Sequence, residues 1–254
     1  MSTVTASTPS TTSTVVRTEA RLFAREPGSL FWILLFPPLL LGILGAVPGF
    51  HQAEPGLGGL RVVDVYTSTV IMFAMTTAAV FSMPAVVAGY RERGILRRLR
   101  TTPVHPASLL LAQVGLHAAA VLAAVVLALT VGRVVYGVPW PGSVLWYAVG
   151  LVLATATTFS IGAVLTSVAR TTRVVQTLSM IVFFPMIFTA GVYLPVQAMP
   201  GVLHDIVVAT PLGAAAEMLS DAMLGRTPDL VDLLVTAGWG VLLALVSVKL
   251  FRWE

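Results

Sequence analysis

The sequence predicts an all-α integral membrane protein with six transmembrane helices and both termini on the same, cytoplasmic side. Three observations predict it. Of the 254 residues, 57% are hydrophobic and only 10% charged, whereas ordinary soluble domains carry about 25% charged residues. The apolar residues come in runs of about 20, the length that carries a helix across roughly 30 Å of hydrocarbon. The basic residues gather in alternate connections between those runs, as topology demands of a membrane protein. Cysteine is absent, which excludes a disulfide framework, thiol catalysis and zinc–thiolate sites. The net charge of +4 flanks apolar runs, so it is read as topology and not as a nucleic-acid surface.

The first element, residues 1–14 (MSTVTASTPSTTST), is small and polar, too poor in apolar side chains to fold alone, and is expected to be a disordered tail. It is not a signal peptide, because the basic residues and the apolar run begin too late. Residues 15–27 form the second element, an amphipathic interfacial helix. Arg17, Arg21 and Arg25 recur every four residues opposite Val15, Val16, Leu22 and Phe23, with Glu19 intruding on the apolar side and Pro27 closing the helix. Such a helix lies flat on the inner leaflet.

Residues 28–254 are expected to form a single transmembrane domain. Its spans are Ser29 to Val47, Tyr66 to Val87, Ser108 to Val131, Val144 to Val168, Val174 to Leu194 and Leu230 to Leu250. Pro37 and Pro38, Pro84 and Pro185 should kink the first, second and fifth, which membrane helices tolerate when neighbours satisfy the freed carbonyls. With the N-terminus inside, twelve basic residues are cytoplasmic: Arg17, Arg21, Arg25, Arg91, Arg93, Arg97, Arg98, Arg100, Arg170, Arg173, Lys249 and Arg252. Arg61, Arg133 and Arg226 face the other side. The stretch from Pro195 to Asp229 is semi-apolar but interrupted by His204, Asp205, Thr210, Pro211, Glu217 and Asp221, so it is too broken to span. Two short outer re-entrant helices joined at Thr210 and Pro211 suit it better. Glu217 and Asp221, four apart, read as its wetted outer edge.

The connection between spans 2 and 3, GYRERGILRRLRTTPVHP, packs Arg91, Arg93, Arg97, Arg98 and Arg100 into ten residues. On a helix, Ile95, Leu96 and Leu99 share one arc while Arg93, Arg97 and Arg100 gather on the far side. Arginines in a cytoplasmic loop serve topology and head-group contact by default, at about 1 kcal/mol each. Topology alone, however, needs neither Glu92 near the helix start, where the macrodipole favours an anion, nor Gly94 in the turn, nor the TTPVHP stop. A structured lever uses all three.

Absences narrow the chemistry. The only lysine is Lys249 and no Gly-rich loop ends in Gly-Lys-Ser/Thr, so the usual phosphate cradle cannot be built and the chain is not expected to hydrolyse ATP. Neither His-Glu-x-x-His nor a Gly-x-Ser-x-Gly elbow is present. An ion-coupled carrier usually places Asp, Glu or His at mid-membrane. Here the candidates reduce to Gln113 and His117, which share a face of the third span and more often make interhelical hydrogen bonds.

RERGILRRLRTTPVHPASLLLAQ (Arg91 to Gln113) resembles the signature of type-2 ATP-binding-cassette (ABC) exporter permeases, and FFPMIFTAGVYLPVQAMPGVLHDIVVATPLGAAAEMLSDAML (Phe183 to Leu224) resembles their fifth helix and re-entrant segment. The resemblance covers roughly Val15 to Glu254 and is nearest to the drug-resistance permeases of the daunorubicin-exporter type. It implies a transmembrane subunit that exports hydrophobic or amphiphilic compounds across a bacterial cell membrane. It implies a dimer with a second permease copy or a paralogue, seated on two separate ABC ATPase subunits that hold the ATP and magnesium, with no cofactor in this chain. Glu92, Arg93, Gly94, Leu96, Arg97, Leu99, Arg100 and Thr102 would form the coupling helix that contacts the ATPase, and Arg17, Arg21 and Arg25 the connecting helix. Gly191, Pro195, Pro200 and Pro211 would shape an outer gate. Ile95 departs from the pattern, because many relatives carry threonine there. Soft and aromatic residues such as Met72, Phe73, Phe81 and Phe183 suit a greasy cargo and equally suit lipid contact. The alternatives are an ion-coupled secondary transporter and a non-transporting membrane scaffold.

Overall fold

The structure is a computed structural model that describes residues 11–99 and 106–250. The expected tail up to residue 10 and the Arg100 and Thr102 positions lie outside the described residues, as do the side chains of Arg97 and Leu99. A helix α1 (Thr11–Phe23) precedes the spans α2 (Pro27–Gly45) and α3 (Val62–Glu92). A short helix α4 (Ile95–Leu99) leads towards the long α5 (Pro106–Tyr136). Then follow α6 (Val144–Val168), α7 (Thr172–Thr189), α8 (Gly201–Val208), α9 (Pro211–Met223) and α10 (Leu230–Leu250). Among the described residues six helices are long and apolar enough to cross a membrane. The predicted all-α, six-span class is therefore the observed one. Because the spans alternate in direction, α1, α4 and the α6–α7 turn share one end of the bundle, here the basic end.

α3 is the axis around which the rest is packed. In its most apolar stretch 83% of residues are buried, against 11% in α10. A helix buried all round must satisfy its own polar groups. Thr67, Thr76 and Thr77 do so by donating hydroxyl protons to the carbonyls of Val63, Met72 and Phe73 at 2.9, 2.8 and 2.9 Å. α6 approaches α3 closely at Gly162, where a Cβ would collide with the carbonyl oxygen of Ala79.

Two of the proline sites share a specific device. π-helical turns at Phe31–Leu35 and Thr77–Ser82 lie just before Pro37 and Pro84. Each absorbs the missing N–H and the ring's clash with the preceding turn by widening the backbone. The carbonyl of Val80, which an N–H at position 84 would cap in a regular helix, accepts the hydroxyl of the fully buried Ser179 on α7. The π-helical turn of α3 is thus clasped by a neighbouring span.

At the end away from the arginines, Arg61 and Asp64 fasten the start of α3. Asp64, 3% exposed, accepts the Arg61 backbone N–H at 2.9 Å and its guanidinium at 2.6 Å. The same guanidinium donates to the carbonyl oxygens of Tyr136 and Gly137 at 3.1 and 3.2 Å, the last orphan acceptors of α5.

α8 and α9 meet at a bend of 101°. Thr210 caps α9 by accepting the Gly213 N–H at 3.2 Å, and Pro211 occupies the first helical position, where its missing N–H costs nothing. Trp239 of α10 donates to the Ala209 carbonyl at 3.0 Å and pins the corner. The sequence's break at Thr210 and Pro211 is the break seen.

Candidate coupling junction and cargo cavity

The arginine-rich connection departs from the expected single helix. Glu92 does not open the amphipathic helix but ends α3. Arg93 leaves helical geometry and Gly94 turns the chain at φ +68°, a conformation that glycine adopts without a Cβ penalty. α4 begins only at Ile95. The local acid-then-glycine pattern suits a helix start and a helix end equally, so the direction was not readable from it. Leu96, from the predicted apolar arc, is buried, and Arg93 and Arg98 are exposed.

Glu92 still neutralises a helix N-terminus, but that of α7. Its two carboxylate oxygens accept the Thr172 backbone N–H at 2.9 Å and the Thr172 hydroxyl at 3.0 Å, where orphan N–H groups and the macrodipole favour an anion. Its neighbour Arg91 reaches the other side of the same turn. The guanidinium donates to the carbonyl oxygens of Thr166, at 3.0 Å, and Ala169, closing the C-terminus of α6, where cations belong. Two consecutive residues therefore bolt the end of α3 to both helices of the α6–α7 turn. Sequence reading had assigned Arg91 no role beyond topology.

α1 is docked rather than merely laid on the bundle. Val16 and Leu22, on the face expected to meet the leaflet, are 41% and 46% exposed, while Glu19 is 7% exposed. The intruding acid is the anchor: its carboxylate accepts the Tyr90 hydroxyl at 2.6 Å and the Gln113 amide N–H at 2.5 Å. Phe23 sets its ring edge-on to His117 at 4.9 Å. α1 ends at Phe23, and Pro27 opens α2 instead of closing α1. Arg17, Arg21 and Arg25 are all exposed.

The network continues inward. His117 Nδ1 meets the Gln113 carbonyl at 2.8 Å and its Nε2 meets Ser82 Oγ at 2.9 Å. The Ser82 hydroxyl donates to Ser29, which donates to Glu26 at 3.2 Å. Gln113 and His117 are thus interhelical hydrogen-bonding groups, as their type and spacing suggest. The chain of bonds joins α1, α2, α3 and α5. It starts at Glu19 and ends at Glu26, both near the basic end.

Beside this network a cavity of about 420 Å³ opens between α2, α3 and α7. Glu26, Tyr90 and Arg93 give it a polar mouth, and Trp32, Phe81 and Val86 an apolar wall. An amphiphile matches such a lining, with an apolar body on the rings and a polar group at the mouth.

At the far end, Gly191 follows α7 at φ +82°, and a Cβ there would press on the Val196 N–H at 3.3 Å. Pro195 precedes a 3-10 turn at Val196–Ala198, Pro200 precedes α8 and Pro211 begins α9. These four residues mark successive corners of one irregular segment. Glu217 is not simply wetted: its carboxylate meets His204 Nε2 at 3.0 Å across the α8–α9 bend.

Comparison with known proteins agrees with this architecture. The profile of the ABC-2 type transporter family matches residues 11–224. The inner membrane transport permease YhhJ of Escherichia coli (strain K12) is 27% identical over 138 residues, and the protein of that name from Shigella flexneri matches equally. The alignment covers 54% of this chain but only 37% of either relative.

Proposed function

The chain belongs to the ABC-2 type transporter family, and from that premise we propose that it is the permease subunit of an ATP-driven exporter in a bacterial inner membrane. Its cargo is a hydrophobic or amphiphilic compound. A second permease copy and two ABC ATPase subunits, which bind ATP and magnesium, complete the assembly. The basic end faces the cytoplasm, as the bias of twelve basic residues against three requires.

One observation carries the coupling reading: Arg91 and Glu92 tie the root of α4 to α3, α6 and α7 at once. A push on α4 from an ATPase cannot be absorbed by a loose loop and passes into three spans. Exposed Arg93 offers a guanidinium fork to carboxylates on the partner, while the buried Leu96 roots the helix. The connecting helix α1 shares the load through Glu19, bonded to Tyr90 two residues before Glu92. α3, clasped by α7 at its π-helical turn, borders the cavity whose lining suits an amphiphile. Displacement of its basic end therefore alters that cavity directly. The bent α8–α9 pair, with its corners at Gly191, Pro195, Pro200 and Pro211, serves as the outer gate.

An ion-coupled carrier needs titratable groups leading from one face to the other. The bonded chain from Glu19 to Glu26 returns to the end where it began, so it offers no such path.

Reconstitution of the permease with its ATPase in vesicles tests the proposal. Glu92→Lys places a cation on the α7 N-terminus and should uncouple ATP hydrolysis from export while membrane insertion stays normal. Undiminished export in that variant contradicts the lever. Collapse of export by an ionophore at full ATP supports the ion-coupled alternative instead.

A further inference from the structure

A second groove lies on the other side of α3 from the cargo cavity, about 370 Å³ in volume, between α3, α5, α6 and α10. Its wall is apolar: Met83 and Val87 of α3, Leu110 and Val114 of α5, Ala163 of α6 and Val248 of α10. All lie at the basic end, in the last turns of α3, α6 and α10 and the first turns of α5. At its rim Leu111 and Val248 are 70% and 76% exposed, so the groove faces the medium around the spans, which is lipid.

One lining residue carries an unmet demand. Gln113 is 2% exposed, and its Nε2 is committed to the Glu19 carboxylate, an acceptor that fixes the orientation of the amide. Its Oε1 is buried and has no hydrogen-bond partner. The neighbouring hydroxyls cannot supply one: Thr166, Ser167 and Ser247 donate to the carbonyls of Gly162, Ala163 and Ala244 at 2.8, 2.7 and 2.8 Å. A buried acceptor left without a donor is costly and calls for one from outside the chain.

We propose that this groove seats a phospholipid of the leaflet at the basic end, one whose head group bears an O–H or N–H donor for Gln113 Oε1. An acyl chain fills the apolar wall. Arg170 and Lys249, exposed next to Ala169 and Val248, provide positive charge at the level of the phosphate. Ethanolamine and glycerol heads satisfy the donor requirement, whereas the quaternary ammonium of a choline head has no hydrogen to give. The lipid thereby completes the hydrogen bonding of the residue that holds Glu19, and so braces the docking of α1.

The test uses the intact protein in nanodiscs with a phosphatidylethanolamine that carries a photoreactive diazirine in its acyl chain. Labelled peptides should concentrate at 110–114, 163–167 and 247–248, well above the exposed face of α7. Unlabelled phosphatidylethanolamine or phosphatidylglycerol should displace the probe with a preference on the order of tenfold over phosphatidylcholine, the scale of one hydrogen bond to a buried acceptor. Ala163→Phe, which fills the groove from α6, should reduce labelling there to the α7 level. Labelling spread evenly over all lipid-facing helices, equal displacement by phosphatidylcholine, or labelling undiminished in a folded Ala163→Phe protein each overturns the proposal. The first two need no variant to fold.

Discussion

The two ends of α3 are fastened in different ways. At Arg61 the fastening is largely local, a guanidinium and a carboxylate three residues apart, with two carbonyls of α5 added. Tyr90, Arg91 and Glu92 instead bond to partners 71 to 80 residues away in the chain, on α1, on α6 and its end, and on α7. A local clamp keeps one helix end in place whatever its neighbours do. A junction of distant elements makes them move together. The first suits a fixed hinge, and the second suits the point where force enters.

This contrast can be broken, and the largest effect is expected at the local clamp. Arg61→Ala leaves the buried Asp64 carboxylate without its cation and should cost about 3 kcal/mol or more, read as a lowered midpoint of thermal unfolding in detergent. The protein that remains folded should still export at an unchanged ratio to ATP hydrolysed. Glu19→Leu is next. It strands the Tyr90 hydroxyl and the Gln113 amide for about 2 to 3 kcal/mol, and proteolysis within residues 11–23 should accelerate while Glu19→Gln recovers part of the protection. Glu92→Gln removes only a solvent-exposed charge–dipole contact, about 1 kcal/mol. Its unfolding midpoint should barely move, yet export per ATP should fall, the reverse of Arg61→Ala. Ser179→Ala is the smallest, about 1 kcal/mol or less. It releases the Val80 carbonyl at the π-helical turn and should appear as faster amide exchange near residues 80–85.

Much of the fold was legible because the bilayer sets a length. α6 coincides with the predicted Val144 to Val168 and α10 starts at the predicted Leu230. α3 runs from Val62 to Glu92, several residues beyond the expected Tyr66 and Val87. Charged residues read as the ends of the span, but Asp64 is paired with Arg61, and Arg91 and Glu92 are hydrogen-bonded to neighbouring helices, so all three stay helical. The amphipathic arc of α4 was readable from periodicity up to Leu96. The capping of α7 by Glu92 was not, because no local pattern names a helix that begins 80 residues later. Glu19 was noticed as an intruder on the apolar side of α1. That an acid on such a face marks a docking point is the one clue that could have located the network.

The most direct measurement replaces Arg98 with a photoreactive amino acid in the assembled, copurified complex and maps what it captures, with the same replacement at Gln52 as the far-end control. The account predicts crosslinks from position 98 to an ATP-hydrolysing subunit and none from position 52. A complex in which position 98 captures no second polypeptide, while export remains driven by ATP, would contradict the claim that force enters at the basic end of α3.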